Sequence, residues 1–452
     1  MRRLIGITLL CGLVLASPHA QPAPARPNIV LILMDDVGYG DLGSYGAPDI
    51  ETPNIDSLAK AGARLTQFYA NASTCTPTRA GLISGRYQQR FALERPLAAA
   101  ATVDQRMGLP ATGRSLPQLL RNHGYATSLV GKWHLGYLPQ FSPRAHGFDD
   151  FFGFKSGFID YYQHTDGEGK PDLFDGDTPV EAPGYMTDLI TRRSVKFIDD
   201  HARSPFFLEV AYNAAHWPYQ VPDRPSMARE NSAHLLPHDD NPGTRADYVK
   251  IMERADQGVG QILAALDRQG LATRTLVIFT NDNGGEWLSR NAPLFNRKYS
   301  LYEGGIRVPA IIRWPGHIPA GTVSHQVGMT MDLTASILAA AGAPAPPETK
   351  LDGIDLLPLL RAGSTPVHRT LFWRVNTAGI DQRAVRDGDW KLVLEGWFKG
   401  APIRTMLFDL GKDIGERNDL ASANTAVVRR LHQSLLAWEK DVDGEAKAGT
   451  KP

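Results

Sequence analysis

Residues 28–40 read Asn-Ile-Val-Leu-Ile-Leu-Met-Asp-Asp-Val-Gly-Tyr-Gly. An apolar run that ends in two acids and two glycines is typical of a buried parallel strand that presents carboxylates at its C-terminal end. The stretch therefore predicts a central strand, with Asp35 and Asp36 in the loop that follows it.

Three later apolar runs end in a similar way. They are residues 125–130, followed by Lys132 and His134; residues 206–212, followed by His216; and residues 275–280, followed by Asp282 and Asn283. Helical patterns lie beside them, at residues 52–69, 115–122, 186–201, 244–268 and 331–341. Strands that alternate with helices predict an α/β fold, here a large mixed, mostly parallel sheet sandwiched by helices.

The sequence changes character at residues 344–365, which are rich in proline, alanine and glycine. We therefore expect a large domain over residues 28–345 and a small C-terminal α+β domain over residues 365–445. The short strands of this second domain are predicted to be antiparallel and to pack with one helix. They lie at residues 371–375, 383–386, 390–394 and 406–408, the helix at about 425–440, and a loose tail at 446–452.

The N-terminus has the positive charge, the apolar run and the small residues before the cleavage site that are typical of a secretory signal peptide. We expect residues 1–20 to be removed, residues 21–27 to form a linker, and the mature protein to be periplasmic or secreted, without a membrane span. Loss of Arg2 and Arg3 lowers the 48 lysines and arginines to 46, against 48 acids. This balance gives no basic surface for nucleic acid, which we do not expect as a partner.

Residues 71–86 contain a lone cysteine before an apolar helical run. We expect Thr76 to be the N-cap and Pro77 the first helical residue, so that Cys75 lies near the positive end of a helix beside Arg79, where anions bind. Of the 2 cysteines, Cys11 leaves with the signal peptide. The remaining thiol is a buried inert residue, an intermolecular bridge, or a reactive or modified group.

The polar residues after the strands form a consistent set, because the carboxyl ends of parallel strands meet at one crevice. Oxygen donors alone favour Ca²⁺, or less strongly Mg²⁺, over Zn²⁺. The donors are Asp35, Asp36, Asp282 and Asn283, the cations are Arg79, Lys132 and Lys298, and the candidate acids or bases are His134 and His216. Both histidines are expected to titrate near neutrality. A divalent ion beside several cations predicts a strongly anionic substrate.

These motifs resemble those of type I sulfatases, the formylglycine-dependent sulfate ester hydrolases of the alkaline phosphatase superfamily. Cys75-Thr76-Pro77-Thr78-Arg79 is similar to the Cys-x-Pro-x-Arg motif in which the cysteine becomes Cα-formylglycine. The resemblance continues in Leu-Ile-Ser-Gly-Arg at 82–86, Gly-Lys-Trp-His-Leu-Gly at 131–136, Ala-His-Trp-Pro at 215–218, Asn-Asp-Asn-Gly at 281–284 and Tyr-Glu-Gly-Gly-Ile-Arg-Val-Pro at 302–309. Thr78 departs from the serine usual in the family but keeps a hydroxyl, so we expect modification by a formylglycine-generating enzyme.

The resemblance also implies roles for individual residues. Asp35, Asp36, Asp282, Asn283 and the modified Cys75 would hold Ca²⁺. Asp282 would deprotonate the attacking hydroxyl of the hydrated aldehyde, His216 or Lys298 would protonate the leaving alcohol, and His134 would accept the proton of the second hydroxyl. Arg79 and Lys132 would steady the hydrate, and Lys298 with the ion would neutralise the sulfate oxygens. The implied substrate is a small or terminal sulfated group, which we expect to be on a carbohydrate.

Several alternatives remain at this point. An arylsulfatase or a phosphonate monoester or phosphodiester hydrolase shares this fold and nucleophile, and a non-catalytic calcium-dependent carbohydrate-binding protein is a further hypothesis. Asn71 begins a glycosylation sequon, but we expect it to be inaccessible beside the nucleophile. Aromatic segments at residues 160–164, 286–287 and 397–398 are more often core than pocket lining.

Overall fold

The computed structural model of the protein describes residues 26–98, 106–224, 243–377, 379–397 and 402–449. The predicted signal peptide lies outside these residues. In the part of the chain that is described, no helix is both long and apolar enough to cross a bilayer.

A ten-stranded sheet organises the larger part of the molecule. Its strands are β1 (Asn28–Met34), β2 (Ala63–Leu65), β4 (Ala126–Lys132), β5 (Asp150–Phe154), β6 (Phe174–Asp175), β7 (Thr178–Pro179), β8 (Phe206–Ala211), β9 (Thr275–Asn281), β10 (Ala310–Arg313) and β11 (Thr322–Ser324). Their order is β11-β2-β10-β9-β1-β8-β4-β5-β6-β7. The central five strands, from β9 to β5, are all parallel, and β10, β6 and β7 pair antiparallel to their neighbours. The predicted mixed, mostly parallel sheet is confirmed.

Alternate side chains of β1 pack into two separate hydrophobic cores. Val30 and Ile32 pack with one core, and Ile29 and Leu31 with the other. All four are fully buried, which explains why the strand reads as a continuous apolar run. The helices that cover the two faces are α1 (Pro53–Ala61), α2 (Cys75–Ser84), α3 (Leu116–Asn122), α4 (Met186–Asp200), α5 (Arg245–Arg268) and α7 (Thr330–Ala341), and the short α6 (Glu303–Ile306) precedes β10.

A four-stranded antiparallel sheet and one long helix form the C-terminal part, as predicted. They are β13 (Thr370–Thr377), β14 (Ile380–Asp387), β15 (Trp390–Trp397), β16 (Arg404–Asp409) and α8 (Thr425–Gly449). A small parallel pair, β3 (Phe68–Tyr69) and β12 (Gly328–Met329), lies outside both sheets. The domain limits at residues 345 and 365 stay a prediction.

Three expectations about local structure were wrong. The helix predicted to reach about residue 69 ends at Ala61, and the chain turns at Gly62 into β2 and β3, because tertiary pairing with β10 and β12 overrides the local pattern. Helix α2 starts at Cys75, with Thr74 and not Thr76 at the N-cap. Helix α8 continues to Gly449, so residues 446–449, predicted as a loose tail, are helical.

Candidate active site

The polar residues predicted to converge do so at the carboxyl edge of the parallel strands. Asp35 and Asp36 follow β1, Lys132 is the last residue of β4, and Asp282 and Asn283 follow β9. Since β1 pairs directly with β9 and with β8, and β8 pairs with β4, four strand ends are neighbours. The sheet topology thus assembles the site from segments far apart in sequence.

Protein cations occupy one oxygen of each of two carboxylates. Arg79 donates from Nε and Nη2 to Asp282 Oδ2, at 3.0 and 2.8 Å. Lys132 Nζ donates to Asp35 Oδ2 at 2.5 Å. The second oxygen of each carboxylate therefore remains available for another ligand.

Three of the predicted metal ligands each carry a buried oxygen without a hydrogen-bond partner among the described residues: Asp35 Oδ1, Asp282 Oδ1 and Asn283 Oδ1. Ligand atoms of Asp35, Cys75 and Asp282 all lie within 4.8 Å of one another. An unpaired buried acceptor costs about 1–3 kcal/mol, so a cluster of three needs a compensating cation. The donor set fits a divalent ion bound through oxygen.

The electrostatics of Asp35 support the same interpretation. Burial and the adjacent Asp282 carboxylate raise the pKa of Asp35 to about 8, although Lys132 and Arg79 oppose this increase. The protein's own cations therefore leave negative charge uncompensated at this point, and a divalent cation would neutralise it.

Asp36 connects the acidic cluster to the opposite side of the site. Its Oδ1 accepts from Asn283 Nδ2 at 2.7 Å and its Oδ2 from Lys298 Nζ at 2.8 Å. Burial opposes ionisation of Asp36, but Lys298 and His216 hold its pKa below the ordinary value. The backbone of Asp36 has φ 60°, a left-handed conformation that is uncommon outside glycine and is often found at functional sites.

His216 is held as a neutral imidazole. Its Nδ1 lies 2.5 Å from the carbonyl oxygen of Trp217 and must donate to it, so Nε2 carries the lone pair, 3.2 Å from Lys298 Nζ. Burial and the Lys298 ammonium lower the pKa of His216 to about 3. The expectation that this histidine titrates near neutrality was wrong, because burial and the cation act together.

His134 is oriented by the same kind of contact. Its Nε2 lies 2.8 Å from the carbonyl oxygen of Leu97 and donates to it, and its buried Nδ1 has no partner among the described residues. Burial and Lys132 lower the pKa of His134 well below its ordinary value, so this second expectation of titration near neutrality was also wrong. The ring presents an unprotonated Nδ1.

Cys75 is only 3% exposed, which excludes the intermolecular bridge. Burial raises the pKa of its thiol, and Lys132 and Lys298 only partly offset this effect. A protonated, enclosed thiol is a poor nucleophile, so these surroundings argue against the unmodified thiol as the reactive group.

Hydroxyl contacts fix the turn that carries Cys75. Thr76 Oγ1 donates to the carbonyl oxygen of His134 at 3.0 Å, which explains why this residue is not the helix cap. Thr78 Oγ1 lies 3.0 Å from both the backbone nitrogen and the carbonyl oxygen of Ala72. Asn71 is fully buried, and its amide nitrogen donates to Gln88 Oε1 at 3.2 Å, so the inaccessibility predicted for the sequon is confirmed.

Sequence reasoning missed Asp41, a buried carboxylate that organises the loop after Asp36. It accepts from the backbone nitrogens of Gly38 and Arg290, from Tyr248 and from Arg245, at 2.7–3.1 Å. The only signal in the sequence was that Asp41 is an acid among glycines, shortly after the predicted ligands Asp35 and Asp36.

The aromatic segments divide between core and surface. Tyr161 is fully buried and donates to the carbonyl oxygens of Asn213 and His216, both at 3.0 Å, so it supports the His216 loop. Trp287 is 55% exposed and lines a cavity. The backbone of Trp397 lies in β15, and Phe398 lies outside the described residues.

The chain matches two families of known proteins. Residues 27–343 match the sulfatase family, and residues 292–441 match the C-terminal family of N-sulphoglucosamine sulphohydrolase. The sulfatase family implies a formylglycine and a metal ion, and the acidic cluster beside Cys75 is a candidate for the metal site.

Individual relatives agree with this assignment. The chain is 35% identical to N-acetylgalactosamine-6-sulfatase of Mus musculus, over 94% of this chain and 89% of the relative. It is 36% identical to arylsulfatase A of Bos taurus, over 96% and 89%.

A solved structure, Ps i-CgsB in complex with k-i-k-neocarrahexaose, superposes with a TM-score of 0.82 at 31% identity, over 92% of this chain and 93% of that one. The resemblance to the sulfatase family is confirmed. The chain therefore belongs to the sulfatase family and is a sulfuric ester hydrolase.

Proposed function

We propose that this sulfatase releases inorganic sulfate from a sulfated carbohydrate. Two of the relatives support this substrate class, since one is named for a sulfated amino sugar and the other is bound to a neocarrahexaose. The exposed indole of Trp287 near the site offers the flat apolar face that sugar rings stack on. An aryl sulfate is the second candidate, because arylsulfatase A is 36% identical.

The nucleophile is proposed to derive from Cys75, converted to formylglycine by a maturation enzyme of the host. The metal is proposed to be Ca²⁺, held by Asp35, Asp36, Asp282, Asn283 and the modified residue 75. The observation that carries this assignment is the set of buried unpaired oxygens on Asp35, Asp282 and Asn283, of which Asp35 and Asp282 cluster with Cys75. The hydrated aldehyde would supply two hydroxyls on one carbon, and the bound cation would polarise the sulfate oxygens.

The side chains around residue 75 are proposed to move protons. Asp282 Oδ1 would accept the proton of the attacking hydroxyl, and Arg79 orients this carboxylate through its other oxygen. His134 Nδ1, which is unprotonated, would accept the proton of the second hydroxyl. Lys132 would steady the hydrate beside Asp35.

Lys298 is the favoured proton donor to the leaving alcohol. Because His216 Nδ1 donates to a carbonyl and its pKa is about 3, His216 Nε2 carries no proton to give. Lys298 Nζ lies 3.2 Å away, and Asp36 raises the pKa of Lys298 well above its ordinary value against the effect of burial. Lys298 is thus protonated before the reaction, when it neutralises the sulfate; it then gives a proton to the leaving alcohol, and His216 positions it.

The protein is proposed to act outside the cytoplasm, after removal of residues 1–20. Residues 28–345 would form the catalytic domain and residues 365–445 a smaller domain. Peptide mass analysis of the N-terminus of exported protein tests the cleavage.

Mass analysis of the peptide around residue 75, combined with sulfate release, tests the proposal. We expect formylglycine, which has lost the cysteine sulfur, and release of sulfate from sulfated saccharides that the Cys75→Ala variant does not catalyse. A chelator should abolish turnover and Ca²⁺ should restore it better than Mg²⁺. Active protein that contains only cysteine would contradict the mechanism, and faster cleavage of a matched aryl phosphonate than of the aryl sulfate would contradict the substrate class.

A further inference from the structure

The loop at residues 286–299 forms an aromatic rim beside the site. Among the described residues, seven large apolar side chains are exposed, and Trp287, Phe295 and Tyr299 of this loop are three of them. Trp287 also lines a cavity of about 510 Å³ together with Glu286, Arg290 and Arg297. Neither the metal cluster nor the proton-transfer residues use this cavity.

The loop is anchored directly to the reacting groups. The backbone nitrogen of Lys298 donates to the carbonyl oxygen of Gly285 at 3.2 Å, and Ser289 Oγ donates to the carbonyl oxygen of Asp36 at 3.1 Å. Asn291 holds Gly285 by two hydrogen bonds, both of 3.0 Å. The Glu286 carboxylate, which lines the cavity, is close enough to Lys298 and Asp36 for their charges to act on its pKa, so the cavity adjoins the side of the site that carries Lys298.

Three arginines line the cavity, and they differ in how fully they are paired with other groups. Arg245 is taken up by Asp41 and Asp49, at 2.7 and 2.9 Å. Arg297 lies 4.6 Å from the centre of the Trp287 ring and 3.9 Å from Glu286. The Arg290 guanidinium is exposed and has no hydrogen bond or ion pair to any described residue.

We propose that Trp287, Arg290, Arg297 and Glu286 form a rim subsite for the sugar that adjoins the sulfated one, and that this second sugar is anionic. The sugar ring stacks on the indole of Trp287, and the Glu286 carboxylate accepts a hydrogen bond from a sugar hydroxyl. Arg290 and Arg297 receive a carboxylate or a second sulfate, for which the planar guanidinium is suited. This inference rests on the proposed carbohydrate substrate and narrows it to acidic oligosaccharides.

Three disaccharides with the same sulfated sugar test the rim subsite. The second sugar is a uronate in the first disaccharide, a sulfated sugar in the second and a neutral sugar in the third. Comparing the first two shows whether the subsite prefers a carboxylate or a sulfate. We expect the wild type to prefer an anionic neighbour by about tenfold in kcat/KM, which corresponds to one good charged contact. The preference should fall as ionic strength rises.

Two variants separate stacking from charge. Trp287→Ala should raise KM for all three disaccharides about tenfold. Its kcat/KM for the disaccharides should therefore fall relative to its kcat/KM for an aryl sulfate. Arg290→Gln should lower only the preference for an anionic neighbour, by roughly threefold. The loop anchor is kept in Arg290→Gln, because Asp41 is bonded by the backbone nitrogen of residue 290 and not by its side chain.

Arg429→Gln, an exposed arginine on α8, is the matched control and should leave the preference unchanged. A wild type without preference, or an Arg290→Gln variant that loses aryl sulfate and saccharide turnover in parallel, would overturn the rim subsite and leave the carbohydrate sulfatase proposal intact. If the wild type cleaves aryl sulfate but no saccharide, both proposals fail.

Discussion

Glu209 shows how one residue can make the stability of this protein depend on pH. It lies in the central strand β8, between Leu31 of β1 and Leu129 of β4, and is 3% exposed. Its Oε2 has no hydrogen-bond partner in the described chain. Burial raises the pKa of Glu209 from 4.5 to about 7, and Arg79 only partly offsets this effect.

The Glu209→Gln variant should be more stable than the wild type at high pH. Below pH 4.5 the carboxyl is protonated in both the folded and unfolded states, so it imposes no penalty. As the pH rises from about 4.5 to about 7, the wild type progressively loses about 3 kcal/mol of unfolding free energy, which the glutamine variant does not lose. Urea unfolding at about pH 5 and about pH 8 measures the difference, with the exposed Glu181→Gln as control. An equal gain at both pH values would contradict this account.

At the scale of elements, helix α5 begins as the sequence predicts, because its start signal is local. Thr244 accepts a hydrogen bond from the backbone nitrogen of Asp247 at 3.1 Å, and Asp247 Oδ2 accepts one from the backbone nitrogen of Thr244 at 3.0 Å. This capping box satisfies groups that the first turn leaves free. The helix packs against α4 and α1, so its start fixes one wall of a core.

The Thr244→Ala variant should lower the free energy of unfolding by about 1 kcal/mol, the usual cost of losing a helix cap. Thr112→Ala replaces an exposed loop threonine whose side chain has no hydrogen bond to any described residue, and it should change the free energy of unfolding by less than about 0.5 kcal/mol. Chemical denaturation of both variants measures the effect. Equal stability of the two would show that α5 does not depend on its cap.

At the scale of the whole molecule, buried charge joins the C-terminal sheet to the catalytic part. Lys391 of β15 is fully buried, and its Nζ lies 2.8 Å from Glu303 of α6 and 2.9 Å from Glu416. Burial opposes ionisation of Glu303, but Lys391 and Arg307 lower its pKa to about 2. Helix α6 also packs on the site, since Gly284 has no room for a Cβ, which would lie 1.9 Å from the Gly304 carbonyl oxygen.

The Lys391→Met variant should destabilise the protein by about 3–5 kcal/mol, because among the described residues it leaves the buried Glu416 without a cation and leaves Glu303 with Arg307 alone. Lys412→Met is the matched control: Lys412 pairs with Asp409 at the surface and should contribute about 0–1 kcal/mol. Thermal and urea unfolding compare the two. Similar losses would mean that the buried pair adds nothing beyond a surface contact.

The sequence by itself determined the features that depend on neighbours along the chain. The apolar run of β1, the start of α5 and the Cys75 motif are readable because strand period, helix start signals and modification motifs are local. The helix predicted through residue 69 was wrong, because pairing of β2 with β10 is a contact between residues about 250 apart and no local pattern encodes it.

Only the tertiary structure decided which atoms of the site are free. The sequence named Asp35, Asp282 and Asn283, but their unpaired oxygens became identifiable only once Lys132 and Arg79 were seen to occupy the opposite oxygens of the two carboxylates. In the same way, His216 was predicted to titrate near neutrality, and folding moved its pKa to about 3 by burying it beside Lys298. The physical reason is that residue type is set by the chain, whereas desolvation and charge at an atom are set by what the fold packs around it.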